Sequence, residues 1–120
     1  MRPKNILIII RQAPYSSLLP AAALDILLTA AAFEQTSTLL FMGDGVLHLL
    51  SQQNAVGSGM KNISKALPSL GLYEVDRVFY EKDVLMNKKL HDEELVMLLE
   101  ALSLAQIAEA IEEADQVFNF

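Results

Sequence analysis

The sequence predicts a single α/β domain over residues 1–120, a mostly parallel sheet of about five strands with helices on both faces. Three observations carry this. Apolar runs without alternation recur at 6–10, 39–42 and 78–80, as in strands buried on both faces. Helix-compatible stretches separate them at the spacing of βαβ units. Each run ends in a loop, Arg11-Gln12-Ala13-Pro14, Gly43-Asp44-Gly45 or Glu81-Lys82-Asp83. Open α/β sheets carry their sites beyond such strand ends, yet these tips offer almost nothing that could do covalent chemistry.

Residues 4–10 form the first expected strand, rich in isoleucine. Ser16 and Ser17 offer N-cap hydroxyls, and Pro20 suits a first helical turn, where a missing N–H costs nothing. Residues 18–35 then read as a helix apolar almost all round, and 38–42 as the second strand, stopped by glycines. A second helix is expected to begin at 46–50. Residues 51–59 are polar and glycine-containing, a loop signal; 60–70 are weakly helical, with Gly71 as a helix stop. The third strand is 77–80, followed by a short helix over 83–87.

Residues 95–101 form a short apolar run that fits strand or helix. Strand is preferred, because Ser103-Leu104-Ala105-Gln106 is a capping box that starts a new helix just after it. That helix carries Leu104, Ile107, Ala108, Ile111 and Ala114 as one expected apolar stripe, opposite Glu109, Glu112 and Glu113. Residues 116–120 close the sheet.

Composition narrows the function. The chain is 52% hydrophobic, and a domain of 120 residues has a high ratio of surface to volume. The surplus, placed mainly in 18–33 and 46–50, predicts burial against other subunits. A net charge of −6 without any basic run argues against direct nucleic-acid binding. There is no cysteine, so this chain supplies no disulfide, zinc–thiolate or Fe–S ligand and no thiol nucleophile. The run 6–10 is too short for a signal-peptide core, and 18–33, interrupted by Pro20, Asp25 and Thr29, falls short of a membrane span. The expectation is a soluble cytoplasmic protein with no membrane contact.

The remaining candidates read mostly as structure. Gly57-Ser58-Gly59-Met60-Lys61 invites a phosphate-loop reading but lacks the spacing of a Walker loop or a dinucleotide turn, so a plain loop is preferred. Asp44, just past a strand, could orient a substrate or hold a metal; capping the following helix is preferred. His48 and His91 fit no metal motif, and His48 reads as a half-buried helix residue. Ser16 and Ser17 lack any evident base. Asp25, a lone charge amid Ala and Leu, either points to solvent or bonds across a subunit contact. The Glu109, Glu112 and Glu113 face reads as solvated helix surface, with an acidic docking patch as the weaker reading. No cofactor, metal or catalytic residue is expected.

Three stretches together carry a resemblance: Leu24-Asp25-Ile26-Leu27-Leu28, Phe41-Met42-Gly43-Asp44-Gly45-Val46 and Leu70-Gly71-Leu72-Tyr73-Glu74-Val75. With Ala13-Pro14 and the ending Asp115-Gln116-Val117-Phe118-Asn119-Phe120, the whole chain resembles the TusC/DsrF branch of the DsrE/DsrF-like sulfur-relay family. Asp25, Asp44, Gly45, Gly71, Tyr73 and Glu81 are the family-motif and strand-end positions. The resemblance implies a flavodoxin-like subunit of a TusBCD or DsrEFH-type hetero-oligomer, with TusB-like and TusD-like (DsrH- and DsrE-like) partners, while the apolar surplus allows a homo-oligomer when the chain is alone. It further implies that a partner carries a persulfide on a cysteine at a central strand end, passing sulfur along carriers, in the Tus case towards tRNA wobble-uridine 2-thiolation, with sulfur-oxidation metabolism as the other destination the sequence leaves open. Here the comparable strand end is Tyr80-Glu81-Lys82, and a carboxylate has no sulfur to transfer.

Two functions from different classes follow. The first is a non-catalytic structural subunit of a sulfur-relay complex. The second is a stand-alone ligand-binding protein or small enzyme, using Asp44 and the 57–59 loop.

Overall fold

The computed structural model describes residues 4–12, 19–49, 77–87 and 99–120. In chain order these form β1 (Asn5–Ile10), α1 (Leu19–Ala32), β2 (Thr36–Phe41), a 3-10 helix (Gly43–Leu49), β3 (Arg77–Glu81), α2 (Lys82–Asn87), β4 (Glu100–Leu102), α3 (Leu104–Glu113) and β5 (Gln116–Asn119). Among the described residues the strands make one parallel sheet in the order β4-β3-β2-β1-β5. The fold is therefore α/β, as the apolar runs require.

That order fixes the layers. From β1 to β4 each strand is added on the same side, whereas β5 returns to the far flank of β1. Parallel crossovers are right-handed, so the reversal puts α3 on the sheet face opposite α1. The packing agrees. Ala23, Leu24 and Leu27 of α1 join Ile8, Ile10, Leu39, Phe41, Val78 and Tyr80 on one face, with Val46 and Leu49 of the 3-10 helix and Val84 of α2. On the other face Leu7, Ile9, Leu40 and Leu102 pack against Ile107 of α3. Alternation along β1 sends Ile8 and Ile10 one way and Leu7 and Ile9 the other, which is why this run is apolar throughout. Each such side chain, fully buried, contributes roughly 1.5–3 kcal/mol.

Several boundaries differ from the sequence reading, each for a local reason. The first helix stops at Ala32 rather than 35. Glu34 takes a left-handed conformation (φ 60), its N–H donates to Ala31 O, and the Gln35 N–H donates to Ala30 O. These are the paired bonds of a Schellman stop, built here without glycine. The freed residues Thr36 and Ser37 extend β2 backwards. Pro20 falls in the first turn of α1, as its missing N–H allows. The helix expected from residue 46 is a 3-10 helix already begun at Gly43. The strand expected over 95–101 is Glu100–Leu102, since Leu99 lies ahead of it and 95–98 lie outside the described residues. Ser16, Ser17, the 51–59 and 60–70 segments, Gly71, Tyr73 and His91 also lie outside them.

The capping box stands as expected. Ser103 Oγ accepts the Gln106 N–H, and Gln106 Oε1 accepts the Ser103 N–H at 2.9 Å. The stripe on that helix does not. Only Ile107 is buried, with Ala110 and Ala114 packing beside it, whereas Leu104, Ala108 and Ile111 are exposed. Among the described residues α3 is the helix on this face, and it presses one narrow line of side chains onto the sheet. Of the surplus expected to be interface in 46–50, Val46 and Leu49 are instead fully buried core.

Candidate functional site

All strands point the same way, so their C-terminal ends share one edge of the sheet, and β1, β2 and β3 are neighbours there. The edge is knit by backbone groups. The Met42 N–H donates to Ile10 O at 3.0 Å and the Gly45 N–H donates to Met42 O at 2.8 Å. Gly43 turns the chain with φ 53, a conformation that L side chains rarely adopt. Gly45 is demanded by space. A Cβ there would overlap the Ile10 carbonyl, 2.7 Å from its carbon and closer to its oxygen. The two glycines let the 3-10 helix leave β2 and lie directly against the end of β1.

Glu81, the last residue of β3, reaches across to this turn. Its Oε1 accepts the Gly43 N–H at 3.0 Å, which satisfies a donor at the start of the 3-10 helix. Asp44, expected to cap a helix beginning two residues later, lies inside the first turn, because the helix starts ahead of it. Its charge remains near the helix N-terminus, but the carboxylate hydrogen-bonded to Gly43 belongs to Glu81.

His48 was expected to be half-buried and is 2% exposed. Its Nε2 lies 2.8 Å from Gln12 O, and a carbonyl can only accept, so Nε2 carries the proton. The ring tilts against Phe41 with centroids 6.1 Å apart. Burial lowers the imidazole pKa below its usual 6.5, partly opposed by the bond to Gln12. The Phe120 carbonyl accepts the N–H groups of Arg11 and Gln12 at 3.0 and 3.3 Å, so the chain's end and the 3-10 helix hold the same loop. A polar residue inside Val46-Leu47-His48-Leu49 must find a partner if buried, and that signal could have marked it.

The structure thus brings Asp44, Gly45 and Glu81 to one edge and adds His48 and Gln12. Asp25 belongs instead to the middle of α1, where its side chain is exposed and its carbonyl accepts Thr29 Oγ1 at 2.8 Å. No group of three or more His, Asp or Glu side chains among the described residues is placed to hold a metal ion. Chemically this edge is a backbone-braced platform with two carboxylates, Asp44 and Glu81, and no sulfur nucleophile.

A family model for the DsrE/DsrF-like family matches residues 4–120. The chain belongs to that family. Relatives within reach of direct comparison include the intracellular sulfur oxidation protein DsrF of Allochromatium vinosum, 34% identical across 98% of this chain and 96% of that protein. A TusC homolog of Vibrio parahaemolyticus is 34% identical across 92% of this chain and 93% of its own. Another, from Pseudomonas aeruginosa, is 30% identical across 97% and 98%. Among solved structures, the ychN protein of E. coli superposes with a TM-score of 0.81 at 25% identity, covering 98% of this chain and 99% of the other. The likeness to the DsrE/DsrF-like family accordingly extends over nearly the whole chain. None of the helices among the described residues is long and apolar enough to cross a membrane.

Proposed function

We propose that this chain is a non-catalytic subunit of a cytoplasmic sulfur-relay complex, a structural partner for subunits that carry the reacting cysteine. The observation that carries the reading is the strand-end edge of a DsrE/DsrF-like domain in which Glu81 bonds to Gly43 and no cysteine exists anywhere in the chain. Persulfide relay needs a thiolate that attacks the outer sulfur of a donor persulfide and releases the donor thiolate. Met1, Met42, Met60, Met86 and Met97 are thioethers and cannot do this. The role left to the chain is non-covalent: to bind, position and shield a neighbour's thiol.

The relatives' names, DsrF and TusC homolog, support TusB-like and TusD-like subunits as the partners. The resemblance to the TusC/DsrF branch supports tRNA wobble-uridine 2-thiolation as the destination of the sulfur, with no direct RNA contact by this acidic chain. Co-expression with the TusB-like and TusD-like proteins of the same genome, followed by native mass spectrometry, tests the assembly. A stable hetero-oligomer containing this chain is the expected result. A chain that stays apart from both, or that copurifies with a bound nucleotide or metal, would favour a stand-alone binding protein.

A further inference from the structure

The face carrying α3 leaves apolar surface that this domain does not cover. Leu104 is 59% exposed and Ile111 39%, and they stand seven residues apart on one side of the helix, with exposed Ala108 between them. Val117 of β5 is 40% exposed. Register pairs it with Leu7, which packs under α3, so Val117 faces the same way. β5 itself is the sheet's edge strand and pairs with β1 alone among the described residues.

The surround is acidic along α3 and β5, with the exposed cations Lys4 and Arg11 at the two ends of neighbouring β1. Residues 99–120 contain Glu100, Glu109, Glu112, Glu113 and Asp115 and no Lys, Arg or His. We infer that the Leu104–Ala108–Ile111 flank of α3, together with Val117 on the edge strand, docks a different protein whose contact surface is apolar at its centre and basic at its rim.

Charge decides the occupant. A two-fold pairing of this face with its own copy would bring each acidic rim against itself, and like charges across an interface cost affinity. A membrane rich in anionic lipid and a nucleic acid are disfavoured for the same reason. A basic-rimmed protein gains on both counts, burying the apolar centre while its Lys and Arg meet Glu109 and Glu112. The inference rests on exposure and charge and stands apart from the sulfur-relay reading.

The test uses the full chain in the cell that encodes it. A photo-crosslinking amino acid replaces Ala108, with a control at the exposed Arg77 at the start of β3. Expected is a hetero-adduct from position 108 at least several-fold above the control, mapped to a peptide holding Lys or Arg beside apolar residues. The double substitution Glu109→Lys, Glu112→Lys, with its circular dichroism unchanged, should lower that adduct several-fold. An adduct no stronger than the control, an adduct to a second copy, or one indifferent to charge reversal would overturn the inference. An adduct to a basic-rimmed protein unrelated to sulfur relay would uphold the docking face and count against the function proposed above.

Discussion

Glu81 at the end of β3 accepts the N–H of Gly43 just beyond β2, an Oε1 to N distance of 3.0 Å. The bond closes the sheet's C-terminal edge between two neighbouring strands and gives a strand-end carboxylate a structural task. Glu81→Ala should destabilise the fold by about 1 kcal/mol, the usual net worth of such a hydrogen bond. Glu81→Gln keeps an acceptor and should lose less. Urea denaturation of the three proteins checks this; equal midpoints would show that the contact carries no stability.

Gly45 is held to a harder condition. A methyl group there meets the Ile10 carbonyl, which is backbone within β1 and cannot step aside. Gly45→Ala should therefore cost roughly 3 kcal/mol, at the upper end for overpacking, and lower the melting temperature. Gly43→Ala tests a different effect. Its added Cβ meets nothing within 4 Å, so its cost comes from φ 53 alone, about 1 kcal/mol. Calorimetry should rank the two in that order.

The contrast shows what a sequence can disclose. The isoleucines of β1 announce a strand buried on both sides, because alternation is absent where both faces are covered. Ser103 and Gln106 announce the start of α3, because both halves of the box lie three residues apart. Contacts across long separations carry no such mark. Glu81 and Gly43 are 38 residues apart, and nothing local says which carboxylate meets the turn. The end of α1 was overrun because Glu34 does a glycine's work in the left-handed position. On α3 the spacing correctly marks an apolar stripe, but a period cannot tell which part meets the core and which is left over, as Leu104 and Ile111 are.

His48 gives a pH dependence. Its pKa is lowered in the folded chain, so between the usual 6.5 and that lower value the unfolded chain binds more protons. Stability should therefore fall as the pH drops below about 6.5 and be regained above it. His48→Gln retains an N–H donor for Gln12 O and removes the titration. Urea midpoints measured between pH 7.5 and 5.5 should slope less for that variant; an unchanged slope would place the dependence elsewhere.

Thr38 Oγ1 is buried without a hydrogen-bond partner among the described residues, on a side chain 3% exposed. Burying an unpaired hydroxyl is unfavourable, and valine has nearly the same shape. Thr38→Val should leave the fold unchanged or stabilise it by up to about 1 kcal/mol. A loss of more than that in denaturant titration would mean that the hydroxyl has a partner.

The function is tested most directly by following sulfur. The purified chain is incubated with a cysteine desulfurase and labelled cysteine, alone and then with the proposed cysteine-bearing TusD-like partner, and reductant-labile label is measured on each protein. The account predicts none on this chain in either case, and more label or faster turnover on the partner when this chain is present. Reductant-labile sulfur on this chain, or a partner equally active without it, would contradict the account.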